Sequence, residues 1–245
     1  MEHLEKHYAE VSKFFAQKSL ISLSDNKHNY NGLNTMEILN LKKVNPKFIK
    51  FNKFKNLIDL KNCNNDLKLL IANLYLYHPH INNPLNEFKI LEGEKLFTYF
   101  QNGPDWIYST FVSCCYEKLY NYWDRIGDTL AYYLEIGILE HRVTFASVID
   151  KMERMEIFKS NPSFEYLKEF KENEYMEFNK HRKEVVHYYQ FETTYKHQIE
   201  ENCRNEEEIE KLWNWKNNMP EYFKNQLNLS CEGFTKTYEL IKTFP

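Results

Sequence analysis

Apolar side chains recur at three- and four-residue intervals along most of the chain, and the strict alternation that marks strands is scarce. Leu4, Tyr8, Val11, Phe14 and Phe15 fall at helical spacing within the first twenty residues. SDNKHNYNGLN, rich in Asn, Asp, Ser and Gly, then reads as a loop. Leu67, Leu70, Ile71 and Leu74 share one face between Asp66 and Tyr77, and HPHINNP stops that helix. Residues 88–100 fit a short strand pair. From Asp105 to about Glu140 there is no proline, which predicts one long helix with Leu119, Trp123, Ile126, Leu130 and Tyr133 as its packing stripe. Gly127 costs that helix about 1 kcal/mol relative to Ala; with Ala131 it forms a notch that suits the close approach of another helix. A shorter helix over Phe145 to Lys159 and a long one over Pro162 to Asn202 come next. Asn205 caps the next helix and Pro220 opens a final one that runs to about Phe244. The pattern predicts an all-α protein. Residues 101–245 read as an up-and-down bundle of four to five long helices, and residues 1–100 as a partly helical extension.

Composition narrows the chemistry. The five cysteines are odd in number and include no C-x-x-C pair, so neither a disulfide framework nor a zinc site is expected, and reduced thiols in a cytoplasm are. His78 and His80 have no carboxylate or cysteine at ligand spacing, so no metal and no cofactor is expected. No stretch approaches ~18 consecutive apolar residues, which argues against a membrane span. The net charge of −3 rules out a broadly basic nucleic-acid binder, so any RNA contact must be local. One local candidate is KKVNPKFIKFNKFK at 42–55, where six lysines interleave with Phe48, Phe51 and Phe54. Such a stretch can track a nucleic-acid backbone and stack bases, or form a half-buried hairpin with its lysines in water.

The arginines are informative because lysine outnumbers them 27 to 5. Arg182 lies on a stripe with Phe178, Val185 and Tyr189. A guanidinium on an apolar stripe needs an acid, an interface or an anionic ligand. His187 is about 140° around the helix from Arg182, so the two side chains converge only partly within one chain. The bland alternatives are that His187 pairs with Glu184 and that Arg182 bridges to Asp124 or Asp128.

Arg182, four intervening residues, His187, one residue and Tyr189 resemble the R-x4-6-H motif of the HEPN superfamily, in the R-x4-H-x-Y form of HepT-type toxins. YWDRIGDTLAYYL, from Tyr122 to Leu134, resembles the helix that packs beside that motif. The resemblance covers roughly residues 105–245. It implies a helical bundle that pairs as a homodimer, with the motifs facing across a cleft. It also implies metal-independent endoribonuclease activity in toxin–antitoxin or antiviral systems, with RNA and an antitoxin protein as partners. Arg182 and His187 are then the catalytic candidates, Tyr189 and Lys183 RNA-binding or regulatory ones, and Asp128 a carboxylate that supports Arg182 from behind. Lys183 departs from the small polar residue usual after the motif arginine. A histidine can move a proton near neutral pH, a step typically worth ~10²–10⁴-fold, and an arginine can hold phosphate oxygens through two hydrogen bonds. The reading from another class is a catalytically inactive HEPN-like helical module that binds a protein or RNA.

Overall fold

The computed structural model describes residues 2–25, 29–30, 33–34, 37, 40, 48 and 51–244. Helices dominate: α1 (Glu2–Gln17), α2 (Lys53–Tyr77), α3 (Gly103–Tyr133), α4 (Phe145–Glu153), α5 (Pro162–Phe170), α6 (Met176–His187), α7 (Phe191–Glu201), α8 (Glu206–Asn217) and α9 (Met219–Thr243). The fold is all-α, as the periodicity predicts. Two antiparallel pairs complete it among the described residues: β1 (Asn29–Tyr30) with β2 (Leu33–Asn34), and β3 (Phe88–Leu91) with β4 (Glu94–Phe97). The second pair sits where a strand pair is expected. Its turn is Glu92–Gly93, both at positive φ, 53° and 85°, a conformation that glycine adopts without steric cost.

The chain divides into two compact units. The first comprises Met1–Leu20, Lys68–Glu117 and His181–Asn225; the second comprises Ile21–Leu67, Lys118–Lys180 and Gln226–Pro245. The first unit buries Phe97, Tyr99, Tyr195, Ile199 and Ile209 as a cluster, with Leu212 and Trp215 packed against it. Its β3–β4 hairpin is tied down by a bond from Phe97 N to Cys203 O at 2.7 Å and by the exposed Lys95–Glu206 pair. The second unit centres on Trp123, which stacks on Phe170 at 3.9 Å between ring centroids and lies 4.8 Å from Phe145. Leu119, Ile126, Leu130 and Tyr133 of the predicted stripe are buried with it.

Several helix ends differ from the sequence expectation, each for a local reason. Helix α2 starts at Lys53, well before Asp66, because its apolar face extends back through Leu60 and Leu57. The expected hairpin at 42–55 is therefore helical from Lys53, and residues 41–47, 49 and 50 lie outside the described residues. Two strands, β1 and β2, interrupt the loop expected at 24–34. Helix α3 stops at Tyr133 rather than near Glu140; the chain beyond it passes through Gly137 at φ 71°. The expected helix from 145 to 159 splits at Arg154 into α4 and a short 3-10 turn, Glu156–Phe158. The expected helix from 162 to 202 is helical only to His187, through a π-helical turn at Lys171–Tyr175, and restarts at Phe191. The π turn is a consequence of packing: Phe170 stacks on Trp123 while Tyr175, five residues on, lies 5.1 Å from Phe145. An ordinary α-turn would swing those two rings about 140° apart.

The caps are legible in residue type. Asn102 and Asp105 exchange side-chain bonds with each other's backbone amides at the start of α3, Thr144 and Ser147 do so at α4, and Asn205 accepts from Glu208 N at α8. Gly127 is a true notch: a Cβ there would stand 2.8 Å from Phe145 N.

Candidate active site

Helix α6 carries the Arg182–His187 motif in its last turns. The amides of Tyr188 and Tyr189 both donate to Glu184 O at 3.1 Å and close the helix, and Gln190 is extended at φ −58°, ψ 149°. The next two side chains set this break. Phe191 is buried against Trp215, 4.8 Å between centroids, and Glu192 is drawn into a buried polar network. The motif therefore sits at an exposed helix end, not inside a continuous helix.

Arg182 Nη1 and His187 Nε2 lie 3.4 Å apart on the exposed surface. This corrects the expectation of partial convergence within one chain. The helical angle of about 140° fixes only where the side chains start, and the long arginine stem spans it. A guanidinium can only donate, so Nε2 accepts and the ring proton sits on Nδ1 whenever this contact is made. Glu184 is within 3.6 Å of His181 Nδ1, so the carboxylate offered as a partner for His187 has another histidine beside it. Lys183 is exposed, and Tyr188 and Tyr189 are 74% and 67% exposed. The motif thus presents the Lys183 cation, the His187 imidazole and two phenol rings to solvent, with Arg182 half-buried beside them.

Asp128 lies in the second unit, where Arg125 Nη1 approaches it at 3.2 Å and Arg125 Nε donates to Asp59 at 2.6 Å. Burial holds the Asp128 carboxyl above the ordinary carboxylate range against the pull of Arg125, and the bond to Asp59 raises the Arg125 guanidinium. Phe48, Phe51 and Phe54 of the basic aromatic stretch line a recess of about 550 Å³ that also holds Arg125 and Asp128.

The network behind the motif was not anticipated from the sequence. Lys216, with no exposed side-chain surface, donates to Asp105 at 3.0 Å, to Glu192 at 3.1 Å and to the Tyr99 hydroxyl at 2.7 Å. The Tyr99 and Ser109 hydroxyls in turn donate to the two oxygens of Glu192. Burial, and then the Glu192 carboxylate, push the Tyr99 hydroxyl far above the usual range, so it stays a donor. A signal was present: Lys216 comes after Ile209 and Leu212 at helical spacing, a lysine in a core position of α8.

A family model described as Cthe2314-like HEPN matches residues 59–242. The chain belongs to the HEPN family. No curated protein and no solved structure matches it. For this HEPN chain, no helix among the described residues is long and apolar enough to cross a membrane.

Proposed function

We propose that this HEPN chain is a metal-independent endoribonuclease, and that Arg182 and His187 are its catalytic pair. The observation that carries this reading is their 3.4 Å contact on an open helix end. His187 takes the proton from the attacking 2′-hydroxyl, or returns one to the leaving 5′-oxygen, as the phosphodiester is exchanged for a 2′,3′-cyclic ester. Arg182 holds the phosphate oxygens on which charge builds, and Lys183 adds a second cation for the RNA backbone. Tyr189 stacks on a base or receives a silencing modification.

A homodimer would set two such pairs across one cleft, one acting as base and the other as acid. Because each pair already meets within its own chain, the second chain adds a pair rather than completing one. A role as a toxin or antiviral effector, with an antitoxin protein as partner, belongs to this reading. Asp128 enters it as support for Arg182.

The test is His187→Ala in the full chain, assayed on single-stranded RNA. Cleavage falls by ~10²–10⁴-fold while the helical circular dichroism and thermal midpoint stay those of the parent. Undiminished cleavage by a folded His187→Ala variant removes the enzyme reading and leaves a binding module.

A further inference from the structure

The first unit contains a recess of about 260 Å³ that the proposed cleavage step does not use. One wall is α3, with Trp106, Ser109, Thr110 and Ser113; the other is the end of α6 and the start of α7, with Val185 and Glu192. Val185 lies three residues from Arg182 and two from His187, so less than about 5 Å of helix rise separates this wall from either. A nucleotide whose phosphate lies on the motif therefore has this recess within reach of its base.

Charge distinguishes the two places. The lining residues include two carboxylates, Glu117 and Glu192, and no lysine, arginine or histidine. Phosphate is drawn to Arg182 and Lys183 and repelled by the recess, which leaves the uncharged base to enter it.

Hydrogen-bond direction narrows the base. A hydroxyl has a single proton to donate, and the three along α3 spend theirs inside the protein. Thr110 Oγ1 donates to Trp106 O at 2.9 Å, Ser113 Oγ donates to Ser109 O at 3.0 Å, and Ser109 Oγ donates to Glu192. What they show to the recess is lone pairs, and the Glu117 carboxylate adds more, while the Glu192 oxygens are taken by Tyr99, Ser109 and Lys216. Against these acceptors the lining sets the Gln190 amide, the Trp106 indole N–H and the Cys114 thiol as donors, so it accepts more than it donates. Trp106, 61% exposed, supplies a face for stacking.

We propose that this recess receives the base beside the cleaved phosphodiester and selects bases that carry an exocyclic amino group over uracil. Uracil meets the lining with two carbonyl acceptors and one N–H, whereas adenine and cytosine each bring an amino donor. The inference rests on the ribonuclease reading for the cleaved bond, but its binding arm is independent of it.

Two measurements on the full chain decide it. Calorimetric titration with adenosine, cytidine and uridine gives binding of the first two about tenfold tighter than of uridine. Cleavage of oligo(A) and oligo(C) then outruns that of oligo(U). Trp106→Ala weakens adenosine binding about tenfold through lost stacking, Trp106→Phe retains it, and Ser113→Ala narrows the preference over uridine. His187→Ala lowers cleavage ~10²–10⁴-fold and leaves nucleoside binding unchanged. Equal affinity for the three nucleosides, or none for any, overturns the proposal even if RNA is cut. Amino-selective binding without any RNA cleavage supports the recess and removes the ribonuclease reading instead.

Discussion

An ammonium with no exposed surface persists only if its partners surround it, and Lys216 has two carboxylates and a phenol within 3.1 Å. Replacing it by Met leaves Asp105 and Glu192 buried without their cation, so Lys216→Met destabilises the fold by about 3–5 kcal/mol. The loss is read as a lower urea midpoint at unchanged slope. Adding Glu192→Leu to Lys216→Met recovers part of it, because one stranded charge is gone. At this scale the sequence was legible in kind and not in distance. Arg182 and His187 stood out as a cation and an imidazole at the end of an apolar stripe, and the helical angle between them was right. Their contact was hidden because a helical wheel carries no side-chain length. Lys216 was hidden because a lysine that follows Trp213 and Trp215 reads as snorkelling at the surface until Asp105 and Glu192, 111 and 24 residues away in sequence, are seen to meet it.

The helices of the second unit depend on two glycines. A Cβ at Gly233 of α9 would stand 2.3 Å from Cη2 of Trp123, and one at Gly127 of α3 would meet the backbone of Phe145. Gly233→Ala and Gly127→Ala each gain helix propensity but force overpacking, with a net cost of about 1–3 kcal/mol. Thermal unfolding of the single variants checks this, and a neutral or stabilising Gly127→Ala would mean that α4 can retreat. The Gly127 notch was legible, because a glycine inside a strongly periodic helix asks for a reason. Helix existence was legible throughout for the same cause. Helix ends were legible where a cap announces them, as at Asn205 and Pro220, and illegible where tertiary packing decides. Nothing in EVVHYYQFE marks a stop; the break at 188–190 exists because Phe191 must reach Trp215 and Glu192 must reach Lys216.

Across the molecule, tyrosine burial sets the alkaline limit. Burial pushes the Tyr133 hydroxyl up to about 12 and raises those of Tyr99, Tyr108, Tyr195 and Tyr238 further. These groups keep their protons in the folded chain after the unfolded chain has lost them, near pH 10. Their stabilising contribution is whole below pH 10 and is lost as the pH rises through the folded values. The urea midpoint therefore falls steadily above pH 10, and the buried tyrosines' share of the tyrosinate absorbance appears with unfolding rather than before it.

Helices α2, α3, α6 and α9 each begin in one compact unit and end in the other, so both units are woven from three separated stretches of chain. Removal of residues 226–245 accordingly takes the last segment of the second unit alone and removal of residues 1–20 the first segment of the first, and a ribosome has completed the first unit at Asn225, before the second. No single cut of the gene separates the two units, because the segments of each lie between those of the other.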